Sequence, residues 1–399
     1  MFRIGKEESD AVARVIAAKQ LFRVNTAYHE AEKFEEAWAK TIGTEYAILM
    51  SSGTGALISA LVGMGIGPGD EVIVPGYTFM ASASAVLAVG AIPVLAEIDE
   101  TMTIDVEDIK KKISKHTKAI IPVHICGYPC NMDAICEIAK EYNLVIVEDA
   151  CQADGGRYKG KRLGSIGDAG AFSFNDWKLI SAGEGGAFVT NSKKAYDRAM
   201  IYHDGGAAFR PYAGEFTEPV FMGTQMRTNE ITAAVMNVQL TRMDGIITDL
   251  KKVKKTMTEA LSNCDLFTIA PSHDIEGDLG THLPLRFKDA AVAKKFAEDE
   301  TLPGYLVVNS GKHVYYNWGP VMQKRGAHCE EINPYNLPQN KDLNMECSDK
   351  MLPKTNDLVE RTFHVTLHCD WTDAEIQEKI DAILKRCEEI RLDFIRIGK

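Results

Sequence analysis

Short apolar runs alternate with amphipathic stretches from about residue 45 to residue 190. Tyr46 to Met50, Glu71 to Pro75, Pro93 to Ala96, Ala119 to Val123, Leu144 to Glu148, Ala169 to Phe174 and Gly186 to Thr190 read as strands. Between them Gly53 to Leu61, Tyr77 to Val89, Val106 to Ser114 and Met132 to Tyr142 carry helical spacing. Runs this short and this apolar suit strands buried on both faces. Their alternation with helices predicts an α/β fold, built from βαβ units into a mostly parallel sheet with helices on both sides. Gly67-Pro68-Gly69-Asp70 reads as a turn.

From Thr228 to about Glu259 the pattern is one long helix, with Ile231, Val235, Val238, Leu240, Met243 and Ile247 recurring at mostly three to four residues. It is expected to lead out of a large domain, residues 1–245 with an N-terminal helical segment. Residues 246–399 are expected as a smaller α+β domain. That domain ends in an amphipathic helix, Asp373 to Asp393, with Ile376, Ile380, Ile383 and Leu384 on one face. Glu330 to Asn356 is rich in Asn and Pro and reads as a long loop, the kind that often forms a lid or a binding surface.

Composition narrows the class. With 399 residues, 45% of them apolar and 25% charged, the chain is an ordinary soluble globular one. A formal net charge of −11 argues against nucleic acid and anionic membrane as partners. The longest apolar run, Ala81 to Ala96, is interrupted by Ser82, Ser84, Gly90 and Pro93. It reads as a helix and a strand rather than a membrane span. Met1 leads directly into Lys6-Glu7-Glu8, without a basic region and apolar stretch, so a cytoplasmic location is expected. The nine cysteines are an odd number, and Cys126, Cys130 and Cys136 lack zinc-site spacing. Reduced thiols and no metal are the expectation.

Five places along the chain carry candidate chemistry. Ser52-Gly53-Thr54 follows a strand and opens a helix, where unsatisfied N–H groups and the helix dipole favour an anion such as phosphate. A plain N-cap explains the same residues. Asp149 closes an apolar strand at the carboxyl edge of the sheet, where ligands of such sheets bind. It is either a partner for a protonated ring nitrogen or a cap or buried ion pair. Lys178 follows the next strand with Trp177 and Leu179-Ile180 beside it. It is either a nucleophilic amine in an apolar surrounding or a surface lysine. Phe79, after another strand, could stack on a ring or fill the core, and Ser173 could add a hydroxyl to a phosphate site. A lysine amine together with a strand-end carboxylate is what a pyridoxal phosphate (PLP) enzyme needs.

The conjunction is more specific than its parts. Ser52-Gly53-Thr54, Pro75 with Tyr77-Thr78-Phe79, and Pro122-Val123-His124 with Gly127 come first. Then follow Glu148-Asp149-Ala150-Cys151-Gln152, Phe172-Ser173-Phe174 with Lys178, and Gly183-Glu184-Gly185-Gly186. In this chain order they resemble fold type I PLP enzymes, and more narrowly the DegT-type (StrS-like) sugar aminotransferases. The resemblance runs from about Glu30 to Leu240 and more loosely to the C-terminus. It implies the aspartate aminotransferase fold and pyridoxal 5′-phosphate as cofactor. Lys178 would bind the cofactor aldehyde and Asp149 would pair with the ring nitrogen. Gln152 would contact the ring near O3′, and Phe79 would stack on it. Gly53, Thr54 and Ser173 would hold the phosphate. It further implies a homodimer in which Gln225 of a second subunit completes the phosphate site. That segment reads Gly223-Thr224-Gln225-Met226-Arg227, with glutamine where the family usually has asparagine. Asn175 stands where the family often has histidine.

The implied reaction is transamination from glutamate or glutamine to a keto or aldehydo sugar in amino-sugar biosynthesis, lipopolysaccharide included. Acceptors in the family are nucleotide-linked deoxy sugars or free compounds. The free ones include keto-cyclitols and the eight-carbon precursor of 8-amino-3,8-dideoxy-octulosonate. The stretch from Lys312 to Trp318 and on to His328 looks more like the non-nucleotide branch. Arg227, Lys312 and Arg325 are candidate clamps for an anionic donor, though solvated surface charge explains each equally well. Members that run dehydration carry histidine in place of the lysine, so Lys178 argues against that branch. Another PLP reaction, a lyase or decarboxylase, is the first rival. A non-enzymatic regulator on the same fold is the second, and intact Lys178 and Asp149 speak against it.

Overall fold

The computed structural model describes residues 3–24, 29–207 and 210–397. The chain opens with α1 (Lys6–Ala18) and α2 (Glu30–Ile42). Next come β1 (Tyr46–Met50), α3 (Gly53–Gly63), β2 (Glu71–Pro75), α4 (Ala81–Ala88), β3 (Ile92–Ala96), α5 (Val106–Lys112), β4 (Thr117–Ile120), α6 (Met132–Tyr142) and β5 (Val145–Asp149). A short hairpin, β6 (Arg157–Tyr158) and β7 (Lys161–Arg162), precedes β8 (Ala169–Ser173), β9 (Gly186–Thr190) and α7 (Lys193–His203). The long α8 (Glu230–Leu261) leads to β10 (Phe267–Ile269), β11 (His282–Phe287), α9 (Ala290–Phe296) and β12 (Gly304–Leu306). The chain ends with α10 (Gly319–Met322), α11 (Pro353–Glu360), β13 (Thr362–Thr366) and α12 (Asp373–Ile397).

Seven strands form one sheet in the order β1-β9-β8-β5-β4-β2-β3. Every pairing is parallel except the two made by β9. Neighbouring residues of a strand face opposite sides, and here both sides are core. Ile73 and Ile146 belong to one apolar cluster, while Val72, Val74 and Val147 belong to the other. The first cluster also holds Phe34 and Trp38 of α2. It continues without a break into Leu283, Phe287, Phe296 and Phe363 around a second sheet, the antiparallel β10-β11-β13-β12. The fold is therefore α/β with a mostly parallel sheet and a smaller antiparallel one. The helix α8 packs against α1 and α2 and also against β11 and α12.

Three expectations are corrected. The helix expected from Tyr77 begins at Ala81. Tyr77 instead bridges Val314, and the Thr78 N–H donates to the His313 carbonyl at 2.9 Å, so sheet-like pairing takes the place of the first turn. The strand expected to end at Val123 ends at Ile120, just before Pro122, which has no N–H for a ladder. The Asn- and Pro-rich segment 330–356 is not a lid over the cavity described below and lines none of it. It is tied to the edge of the large sheet. Buried Asn340 accepts from the Gly69 N–H and donates to the Gly90 carbonyl, and Glu71 accepts from the Asn344 N–H.

Candidate active site

Four strands deliver polar residues to one place. β1, β2, β5 and β8 all end at the same edge of the large sheet, and their following residues line a cavity of about 570 Å³. The small antiparallel sheet supplies the opposite wall, including His282 and Thr366.

Asp149 is the last residue of β5 and is 5% exposed. Strand alternation turns Glu148 the other way. Glu148 is fully buried and accepts from the backbone N–H groups of Gly164, Ile166 and Gly167 and faces His124 at 3.0 Å. That clamp holds the strand end in place. Asp149 Oδ2 accepts from Ser82 Oγ at 2.7 Å, and Oδ1 accepts from the Cys151 N–H at 3.1 Å. Asp149 also lines the cavity.

Lys178 sits in a loop that folds back between β8 and β9. The Phe174 N–H donates to the Gly185 carbonyl and the Lys178 N–H to the Asn175 carbonyl. Phe174 anchors this loop by packing edge-on against Trp38, ring centroids 5.2 Å apart. Leu179 and Ile180 are buried, but Trp177 is 81% exposed, so the apolar flank lies on one side of the lysine only. No hydrogen bond or ion pair holds the Lys178 ammonium among the described residues.

The start of α3 is pressed onto the sheet. A Cβ on Gly53 would lie 2.7 Å from Ser173 Cβ and 2.8 Å from Cys151 Sγ. Only glycine allows that approach. Ser52 Oγ caps the helix by accepting from the Gly55 N–H at 3.0 Å. Gly53 and Thr54 have no carbonyl one turn earlier to donate to, so their N–H groups are available to a ligand. Ser52, Gly53, Thr54 and Ser173 all line the cavity.

The residues matching a single family model run from 3 to 317, and that model describes the DegT/DnrJ/EryC1/StrS aminotransferase family. The chain belongs to this family. It is 42% identical over 224 residues to the GDP-perosamine synthase of Escherichia coli O157:H7, covering 56% of this chain. The match spans only 60% of that relative's length. It is 33% identical over 284 residues to the 3-amino-5-hydroxybenzoate synthase of Amycolatopsis mediterranei (strain S699), covering 70% of this chain and 72% of the relative. The fold aligns with the X-ray structure of the aminotransferase from Psychrobacter cryohalolentis at a TM-score of 0.78, with 28% identity and 96% of each chain covered.

The cofactor of DegT-family aminotransferases is pyridoxal 5′-phosphate, and the residues here fit it. A lysine amine, a strand-end carboxylate and a helix start with free N–H groups open onto one cavity. Gln152 is oriented for the same purpose. Its Oε1 accepts from the Cys126 N–H at 3.0 Å, which leaves the NH₂ to donate to a ring oxygen.

Of the positions singled out in the sequence, Gly53, Thr54, Phe79, Asp149, Gln152, Ser173 and Lys178 meet at the cavity. Gln225 does not line it. It is exposed, its amide 3.5 Å from the Arg227 carbonyl. Lys312 lines the cavity and lies over the Phe79 ring, 5.3 Å from its centre. The other two clamp candidates do not line it. Arg227 pairs with Asp204, and Arg325 hydrogen-bonds Gln323 on the exposed side. In the stretch compared with the non-nucleotide branch, Lys312 and His313 reach the cavity, but Val314, Tyr315 and Trp318 are core. Burial pushes the His313 imidazole down to about 4, which leaves it neutral near pH 7.

Three residues of the site escaped sequence reasoning. Ser82 reads as one small residue of an apolar helix. His282 comes from the other sheet and has no local signature. Asp154 has one: a second acid, followed by Gly155-Gly156, five residues after the strand-end aspartate. It is 1% exposed, lines the cavity, and its Oδ1 has no hydrogen-bond partner.

Proposed function

We propose that the protein is a PLP-dependent aminotransferase that moves an amino group from glutamate or glutamine to a keto or aldehydo sugar. One observation carries the reading: Lys178 and Asp149 open onto the same cavity, beside a helix start suited to a phosphate. Bound PLP supplies an aldehyde that accepts the amino group and a ring that takes up the electron pair freed at the donor Cα. The protein does the rest. Lys178 Nζ would hold the cofactor carbonyl between turnovers and would carry the proton taken from the donor Cα. Asp149 keeps the ring nitrogen protonated, and Ser82 and the Cys151 N–H hold that carboxylate in orientation. Gln152 donates to the ring oxygen, Phe79 covers the ring, and Gly53, Thr54 and Ser173 bind the phosphate. Lys312 is the cation at this cavity best placed for the donor's carboxylate.

Two relatives support the sugar side of the reading by name, a GDP-perosamine synthase and the dTDP-3-amino-3,4,6-trideoxy-alpha-D-glucose transaminase of Streptomyces venezuelae. The acceptor is read as a keto sugar of this kind, nucleotide-linked or free. The dimer in which Gln225 reaches a second subunit's phosphate site belongs to the same proposal.

The test is a half-reaction. Holoprotein mixed with glutamate should lose its yellow absorption and release 2-oxoglutarate. A keto-sugar panel, free and nucleotide-linked, should then identify the acceptor by return of the yellow form. Lys178→Ala should bind the cofactor without the borohydride-trappable adduct and show no turnover. A wild-type chain that takes up PLP yet releases no keto acid from either donor would overturn the reading.

A further inference from the structure

The small sheet brings two histidines together. His282 starts β11 opposite Thr366 of β13, and His364 lies two residues earlier on β13. Residues opposite or two apart share a face, so both imidazoles project the same way. Their ring centroids are 5.5 Å apart. Cys126 enters from the large domain, out of the turn that follows β4. One ligand atom from each of the three lies within 4.8 Å of the other two, and Cys126 Sγ is 3.7 Å from His364 Nδ1.

The protons of this cluster do not fill its acceptors. Thr281 donates its hydroxyl to the Cys126 carbonyl, so Thr281 Oγ1 accepts from His282 Nδ1 at 3.1 Å. That contact fixes His282 with its lone pair on Nε2. His364 turns Nδ1 to the sulfur, and its fully buried Nε2 has no partner. The Tyr77 and Tyr305 hydroxyls hydrogen-bond the Cys126 sulfur, and the one thiol proton cannot serve both imidazole lone pairs. Cys126 also holds φ +52° without being glycine, a left-handed conformation that side-chain-bearing residues rarely adopt.

We propose that Cys126, His282 and His364 bind one zinc-type divalent ion, with the fourth position open to the cavity. Thiolate and imidazole ligands select zinc over magnesium or calcium. With zinc bonds of about 2.3 Å to sulfur and about 2.0 Å to nitrogen, tetrahedral ligand atoms stand roughly 3.3–3.7 Å apart, which the sulfur–nitrogen pair already satisfies. Cys126 and His282 line the cavity, so a water from the cavity completes the coordination. Sequence spacing hides this site because its ligands come from three distant segments. The inference stands independently of the aminotransferase reading.

Zinc content and cobalt spectra test it on the holoprotein. After loading and dialysis, about one zinc per chain should remain. Cobalt in its place should give visible d–d bands, at wavelengths where the cofactor does not absorb, and a thiolate charge-transfer band. Cys126→Ser and His364→Asn should each weaken metal binding by more than about tenfold, with the yellow cofactor absorption retained as the sign of a folded site. Retained zinc below about a tenth of an equivalent, or a cobalt spectrum unchanged in Cys126→Ser, overturns the proposal. Should Cys126→Ser not fold, a wild-type cobalt spectrum without a thiolate band does the same. Failure here leaves the half-reaction with glutamate untouched, and failure of that half-reaction leaves the metal count untouched.

Discussion

Ser82 Oγ donates to Asp149 Oδ2 over 2.7 Å and is itself 2.9 Å from Thr78 Oγ1. A hydroxyl from α4 thus orients the carboxylate that ends β5. Removing it takes one charge-assisted hydrogen bond from a nearly buried group, an effect of about 1.5 kcal/mol. Ser82→Ala should therefore weaken PLP binding by about tenfold, with the fold intact. Fluorescence titration of the apoprotein with PLP measures this. Unchanged affinity would show that the Cys151 N–H orients Asp149 by itself.

Gly53→Ala adds a Cβ 2.7 Å from Ser173 Cβ and 2.8 Å from Cys151 Sγ. Neither neighbour is the far end of a flexible side chain, so the helix start must move off the sheet. Overpacking of this kind costs about 1–3 kcal/mol. Melting temperature should fall, and PLP affinity should fall further than pyridoxal affinity, because the displaced N–H groups serve the phosphate. Equal losses for the two compounds would remove this helix start from the phosphate site.

Burial pushes the Asp154 carboxyl well above the usual carboxylate range, against the opposing pull of the Lys178 charge. The folded chain then keeps a proton that the unfolded chain releases above about pH 3.9. Stability is lost as pH rises through that value, since the unfolded state ionises and the folded state does not. Asp154→Asn never ionises and escapes this loss. It should raise the melting temperature of the apoprotein at pH 7 and leave it nearly unchanged near about pH 3.5. A stabilisation of equal size at both pH values would refute the ionisation argument.

Cys264 is the thiol set up to react first. Hydrogen bonding between the Cys264 and Cys387 sulfurs, 3.6 Å apart, holds it below the ordinary thiol range, outweighing its burial, and Arg391 lies 3.9 Å from its sulfur. Brief iodoacetamide treatment at pH 7, followed by peptide mapping, should mark Cys264 before any other cysteine. Arg391→Ala should slow that reaction. Earlier labelling of half-exposed Cys329 would mean that access, not thiolate content, sets the order.

Much of the seven-stranded sheet and its helices was readable along the chain. Val72-Ile73-Val74 and Ile146-Val147, with half-buried Val145 before them, are covered on both faces, so each appears as an unbroken apolar run. The positions after these runs are the chemistry-bearing ones, because residues just past a strand end lie at a sheet edge. Boundaries failed where a distant partner intervened, as when Val314 and His313 paired with Tyr77 and Thr78. The Asn- and Pro-rich segment carried no sign that Asn340 would be buried among Gly69 and Gly90. Hydrogen bonds between segments so far apart leave no period in the sequence.

Local order along the chain determined which residues stand at the strand ends: Gly53 and Thr54, Phe79, Asp149, Ser173 and Lys178. Strand and helix periods are properties of neighbours, and these positions follow from them. Only the tertiary structure decided what faces them. Ser82 on Asp149, the unpartnered Oδ1 of Asp154, Lys312 over Phe79, and Cys126 beside His282 and His364 all depend on two sheets meeting across one cavity. That meeting is set by the packing of a shared apolar core, which couples residues by shape and burial rather than by distance along the chain.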